Sequence, residues 1–133
     1  VERLGLSVDN FGTAVHPDAI LSKRAKIGKG TVVMQGAVIN SCTCIGVHSI
    51  VNTGATIDHD DVIGNFCHIS PHATLCGAVT VGDSTQIGAG SVVIPGVHVG
   101  SHSLIGAGSV VVTDIPDNVL AYGNPCRIVR MRR

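Results

Sequence analysis

Counted in steps of six from Val15, the chain places Ile, Leu or Val at seventeen consecutive positions, from Val15, Leu21 and Ile27 through to Ile105 and Val111. No insertion or deletion breaks the run. A period of six fits neither the 3.6 residues per turn of an α-helix nor the 3.5 of a coiled coil. A hairpin array would need turn signals at wider spacing. A β-solenoid does fit, with each unit a short strand plus a corner. The fourth residue after each aliphatic one is small: thirteen of the seventeen are Ala, Ser, Thr or Cys, and the others are Asp61, Val79, Val97 and Ile115. Large and small side chains therefore alternate toward a narrow interior. The spacing predicts an all-β parallel solenoid over residues 15–116, after a lead-in at 1–14 and before a C-terminal extension at 117–133.

A second period lies on the first. Gly28, Gly46, Gly64, Gly82 and Gly100 recur every eighteen residues, so three hexapeptides make one coil and the seventeen units make about 5.7 coils. These glycines are expected at a corner that needs backbone freedom, with Gly88 and Gly106 marking a second corner. Stacked coils should lie about 4.7–4.9 Å apart, so residues eighteen apart become direct neighbours. After Pro116 the chain should leave the solenoid, turn at Asp117-Asn118, and return over Val119 to Val129 as a short strand.

Composition removes several classes of function. Nine basic and nine acidic residues cancel, which leaves no electrostatic footprint for nucleic acid. No apolar stretch is long enough for a membrane span. Cys42, Cys44, Cys67, Cys76 and Cys126 form an odd set without framework spacing and are expected as reduced thiols of a cytoplasmic protein. The C-terminal Arg127, Arg130, Arg132 and Arg133 read as a solvated tail, with contact to an anionic cofactor as the other reading. A prism with flat sides and few charges is expected to pack against copies of itself in a closed ring.

Rows of aliphatic residues are inert, so chemistry must come from residues that break the pattern. The densest polar cluster runs from Asn52 through Asp58-His59-Asp60-Asp61 to His68, His72 and Gly77. His59 should point outward near a corner. A carboxylate beside a histidine fixes its tautomer and favours the imidazolium, the usual build of a general base. Asp60 follows His59 directly but reaches it only if the corner turns it back, because neighbours on an extended strand face opposite ways. Asp58 is the competing partner. Gly77 is eighteen residues after His59, so its N–H should sit one coil above as an oxyanion donor. His68 is nine residues after His59 and lies across the prism, so the two share a site only between subunits. Ala89 and Ala107 are eighteen apart and should stack into a track of small residues that admits a slender ligand. His16, His48, His98 and His102 read as surface residues.

The repeat resembles that of the hexapeptide-repeat transferases, which implies a left-handed parallel β-helix of triangular section and a homotrimer. Within that group, Asn52-Thr-Gly-Ala-Thr-Ile-Asp-His59-Asp60, Cys-His68-Ile-Ser-Pro-His-Ala-Thr-Leu-Cys-Gly77 and the tail Gly123-Asn-Pro-Cys-Arg-Ile-Val resemble the bacterial sugar acetyltransferases of the NeuD and PglD type. By matching position, the resemblance implies His59 as general base and Asp60, where the family more often has Glu, as the residue that raises its basicity. It implies His68 and the Gly77 N–H as contacts for acetyl-coenzyme A and its carbonyl, Ala89 and Ala107 along the pantetheine arm, and Asn52 near a sugar or nucleotide-sugar acceptor. No metal is implied. The family usually carries an N-terminal α/β domain for the nucleotide sugar, and residues 1–14 are too few to form one. Three alternatives stand beside this: a non-enzymatic scaffold, an acyl-carrier-protein-dependent acyltransferase, and a zinc enzyme like the gamma-class carbonic anhydrases. The last would use His68, His72 and one of His48, His59 or a residue of another subunit.

Overall fold

The computed structural model describes residues 2–133 and forms a left-handed parallel β-helix. Seventeen strands of two residues, from Ala14–Val15 to Val110–Val111, are set six apart and fall into three sheets. The first face holds Ala14–Val15, Val32–Val33, Ile50–Val51, His68–Ile69, Gln86–Ile87 and Leu104–Ile105. The second holds strands such as Val38–Ile39, Thr56–Ile57 and Thr74–Leu75, and the third strands such as Cys44–Ile45, Val62–Ile63 and Thr80–Val81. Every pairing between these strands is parallel and offset by eighteen, as in His68 with Gln86 and Thr74 with Val92. Among the described residues there is no α-helix, only short 3-10 turns at Glu2–Leu4 and Val8–Asn10. None of the described helices is long and apolar enough to cross a membrane.

The alternation of large and small residues is the packing rule of the interior. Ile39, Ile57, Ile69, Leu75 and Ile87 are fully buried. So are the small partners between them, including Ala37, Thr43, Ala55, Ala73 and Ser91. Each buried Ile or Leu contributes about 1.5–3 kcal/mol. The opposing cost lies in the corners, where non-glycine residues such as Cys42, Asp60, Phe66, His72 and Ala78 take positive φ, at about 1–2 kcal/mol each. The corners also bond to the coil below, as Asp60 N–H does to Ser41 O at 3.0 Å and Ala78 N–H to His59 O at 2.9 Å.

The eighteen-residue glycine row is present for another reason than the one expected. Gly28, Gly46, Gly64, Gly82 and Gly100 do not have positive φ; the left-handed residues come two places later, at Gly30, His48, Phe66, Ser84 and His102. Room is what the row requires. A Cβ on Gly64 would lie 2.3 Å from Asp83 Oδ1 and 2.8 Å from Asp83 N. The side chain one coil up descends into that gap, where Asp83 Oδ1 accepts the Asn65 N–H at 2.7 Å.

The C-terminal end departs from the expected single returning strand. Ile115 still points inward and bridges to Val99, but the offset between coils drops to sixteen, with Leu120 against Leu104. Val119–Tyr122 joins the first face and buries Val119 and Ala121. Gly123 at φ 109 and the cis peptide Asn124–Pro125 then turn the chain. Arg127–Met131 runs back antiparallel and exposed. Glycine and proline at the turn split the segment into two strands.

Candidate active site

The corner between the second and third faces, residues 58–61, carries the strongest constellation. Asp60 has φ +59, and that left-handed step swings its side chain back beside its neighbour. His59 Nδ1 lies 2.8 Å from Asp60 Oδ2. The partner of His59 is therefore Asp60 and not Asp58, whose Oδ1 instead accepts from Asn40 Nδ2 one coil below at 3.0 Å. With Nδ1–H donated to the carboxylate, Nε2 keeps its lone pair and can take a proton. The hydrogen bond to Asp60, and then the field of Asp58, hold the imidazole pKa above its ordinary value, against the opposing effect of burial.

Gly77 stands where the eighteen-residue rule puts it. A Cβ at Gly77 would fall 2.7 Å from both Cε1 and Nε2 of His59, so the ring rests on the bare Cα of the coil above. Among the described residues the Gly77 N–H donates to no protein acceptor. Base, carboxylate and unpaired donor thus meet at one corner. His59 and Asp60 are about 60% exposed, so a single chain leaves this corner open to water.

The other candidates gather elsewhere. His68 lies on the first face, and in a triangular coil that face is opposite the corner of His59. Asn52 and His68 touch, with Asn52 Nδ2 3.0 Å from His68 Nε2. Asn52 Oδ1 also accepts the Thr53 N–H at 2.8 Å. Asn52 belongs to the corner between the first and second faces, which also carries the exposed Ala89 and Ala107. Their stacking is direct: Gly108 N–H donates to Ala89 O at 2.8 Å. His72 sits in this corner at φ 56, its ring folded over Gly54. One chain therefore gathers the candidates into two separate groups, with His59, Asp60 and Gly77 on one corner, and Asn52, His68, Ala89 and Ala107 around another.

Three partners escaped sequence reasoning. Asn40 holds Asp58, and Gln86, one coil above His68, donates from Nε2 to Ser70 Oγ at 3.2 Å. The eighteen-residue offset links 40 to 58, 52 to 70 and 68 to 86, so stepping by eighteen from each candidate would have found all three. All five cysteines are free thiols. Burial pushes Cys76 up, and the fields of Asp58 and Asp61 add to it. The four C-terminal arginines are exposed, as a solvated tail would be, and Arg132 Nη1 donates to His102 O at 3.1 Å on that surface. No group of three or more His, Cys, Asp or Glu among the described residues is placed to hold a metal. His48 packs edge-on to Phe11 and stacks on Phe66.

Comparison with known proteins adds to this geometry. The family model described as bacterial transferase hexapeptide (six repeats) matches residues 61–95 and 78–113. PerB from Caulobacter crescentus, solved in complex with CoA and GDP-perosamine, is 42% identical with a TM-score of 0.92, covering 97% of this chain and 64% of that one. A histidine-to-asparagine variant of perosamine N-acetyltransferase from the same organism, also with CoA and GDP-perosamine, is 41% identical with a TM-score of 0.92, covering 97% and 63%. The acetyltransferase domain of PglB from Neisseria gonorrhoeae, in complex with acetyl coenzyme A, is 41% identical with a TM-score of 0.89, covering 96% and 61%. The chain thus spans under two thirds of the length of these structures. No curated protein sequence matches the chain.

Proposed function

We propose that this chain, which belongs to the bacterial hexapeptide-repeat transferases, moves an acetyl group from acetyl-coenzyme A to the amine or hydroxyl of a nucleotide-linked sugar. The observation that carries this is the corner of His59, Asp60 and Gly77: a base hydrogen-bonded to its carboxylate, with its ring against Gly77 of the coil above, whose N–H is free among the described residues. Similarity to proteins solved with CoA, acetyl-CoA and GDP-perosamine supports the choice of donor and acceptor.

The acceptor attacks the thioester carbonyl carbon while His59 Nε2 takes the proton from its nitrogen or oxygen. The new N–C or O–C bond forms, and the carbonyl oxygen gains charge opposite the Gly77 N–H. Collapse breaks the C–S bond, and His59 returns the proton to the departing thiolate. The enzyme ends unchanged and needs no covalent intermediate. Ala89 and Ala107 expose only methyl groups, leaving a shallow track for the pantetheine arm, with His68 and Asn52 at its side.

The two groups of candidates lie on different corners of one solenoid, so the functional unit in this proposal is a homotrimer whose active sites form between neighbouring solenoids. Five unpaired thiols fit a cytoplasmic location. The test is a thiol-release assay with acetyl-CoA against amino sugars and their nucleotide conjugates, run beside sedimentation of the protein. Release that depends on a nucleotide-linked amino sugar and on a trimer is expected. Absence of release with every sugar amine or hydroxyl, despite binding of CoA, would falsify the proposal.

A further inference from the structure

One side chain in the His59 corner has no part in that chemistry. Asp61 points inward with no exposed surface, in the slot that elsewhere holds mostly Ala, Ser, Thr or Cys. Its Oδ1 accepts the Val79 N–H at 2.7 Å. Its Oδ2 is buried without a partner among the described residues.

The repeat identifies what stands opposite Oδ2. In the same slot, Thr31, Thr43, Ser49, Thr85 and Ser91 each donate a hydroxyl to the carbonyl fifteen residues on, at 2.6 to 3.0 Å. The thiol of Cys67 obeys the same rule toward Gly82 O at 3.1 Å. For Asp61 the rule selects the Cys76 carbonyl. That carbonyl accepts from no backbone N–H among the described residues. It also belongs to the same peptide group as the Gly77 N–H.

We propose that Asp61 is a positioning residue which, carrying its proton, donates from Oδ2 to the Cys76 carbonyl and so aligns and polarises the Cys76–Gly77 peptide whose N–H faces the acetyl oxygen. This rests on the role given to Gly77 above. A hydrogen bond accepted at a carbonyl makes the N–H of that amide a better donor. Only the protonated carboxyl can play the part that Thr43 plays one coil below, because a carboxylate is acceptor-only. Burial pushes the Asp61 carboxyl up to about 7, against the lowering effect of the Val79 N–H, and the charge of Asp58 raises it further. The groups that face Asp61 are Asp58 and His59 in its own corner and Cys76 on the coil above. The coil below offers Thr43, which does not ionise. Once the proton leaves, two oxygens without a hydrogen between them oppose each other, and the peptide loses its alignment.

The test measures kcat and KM against pH for the wild type, Asp61→Asn, Asp61→Leu and Asp61→Thr. Wild-type kcat should rise as His59 deprotonates, then fall above about pH 7 as Asp61 does. Asparagine donates at every pH, so the alkaline limb should vanish in Asp61→Asn. Asp61→Leu should lose kcat by about tenfold across the range, the worth of one hydrogen bond, with KM for acetyl-CoA kept. Asp61→Thr should restore it. An alkaline limb that persists in Asp61→Asn overturns the proposal. Infrared difference spectra of wild type against Asp61→Asn should show a protonated carboxyl below neutral pH that disappears as pH rises, and its absence also overturns the proposal. If the wild type transfers no acetyl group, the reading of Gly77 fails, while this carboxyl band still supports the bond to Cys76.

Discussion

Two corners one coil apart share a backbone and differ in what they can do. Asn40-Ser41-Cys42-Thr43 and Asp58-His59-Asp60-Asp61 fill the same four slots of the repeat. Their third residues have φ 62 and 59. In both, that left-handed step brings the second and third side chains together: Ser41 Oγ lies 3.6 Å from Cys42 Sγ, and His59 Nδ1 2.8 Å from Asp60 Oδ2. Thr43 and Asp61 both turn inward and are fully buried. The backbone thus offers every such corner the same pairing, and a base beside a carboxylate converts one of them into a candidate active site. The pairing is a property of the coil, and the chemistry is a property of two side chains.

The largest expected effect comes from making the upper corner like the lower one. His59→Ser should lower kcat by about a hundredfold or more, the usual worth of a general base. The melting temperature should barely move, since His59 is exposed. Steady-state turnover beside thermal melts checks this, and normal turnover would remove His59 from the mechanism. Gly77→Ala comes next. Its methyl would sit 2.7 Å from the His59 ring, and pushing the imidazole aside should cost roughly tenfold to a hundredfold in kcat with a smaller change in KM. A crystal structure of the variant would show the displaced ring.

Asp60→Asn should have a smaller effect, because asparagine also tolerates positive φ. Asp60 raises the pKa of His59, and the base form exists only above that pKa. Loss of the carboxylate should move the acid limb of kcat/KM to lower pH and reduce the plateau by about tenfold. A limb that stays in place would mean that Asp60 does not govern His59. The subtlest contrast concerns stability. The Asp61 pKa is raised from 3.8 in the unfolded chain to about 7 in the fold, so its contribution is complete below about pH 4 and is lost as pH rises to about 7. Melting temperatures should fall across that window, and Asp61→Thr, which copies Thr43, should flatten the slope. Equal slopes in the two proteins would show that Asp61 is not held neutral in the fold.

Much of the site was legible because the coil acts as a ruler. Gly77 over His59, Ala107 over Ala89 and the separation of His59 from His68 follow from offsets of eighteen and nine, and the strand register reproduces the eighteen. The pairing of His59 was not legible in this way. Alternation along an extended strand argues against contact with the next residue, and only the left-handed conformation of Asp60 reverses it. The glycine row was visible, but its cause was mistaken: a glycine needed for close approach looks the same in a sequence as one needed for positive φ. The contact between Asn52 and His68 was missed because it combines an offset of sixteen with the reach of two long side chains. The tail was misjudged where the offset changes from eighteen to sixteen and the ruler no longer applies.

By itself the sequence determined the solenoid, its coil length, the inward and outward faces and the corner where polar residues collect. Those properties are periodic and local: aliphatic residues six apart bury themselves whatever the rest of the chain does. Tertiary structure alone decided which carboxylate serves His59, that the Gly77 N–H has no protein acceptor among the described residues, and that Asp61 Oδ2 is buried without a partner among them. Each of these depends on a side-chain direction at a strained corner and on what the next coil places within about 3 Å, the range over which a hydrogen bond either forms or is lost.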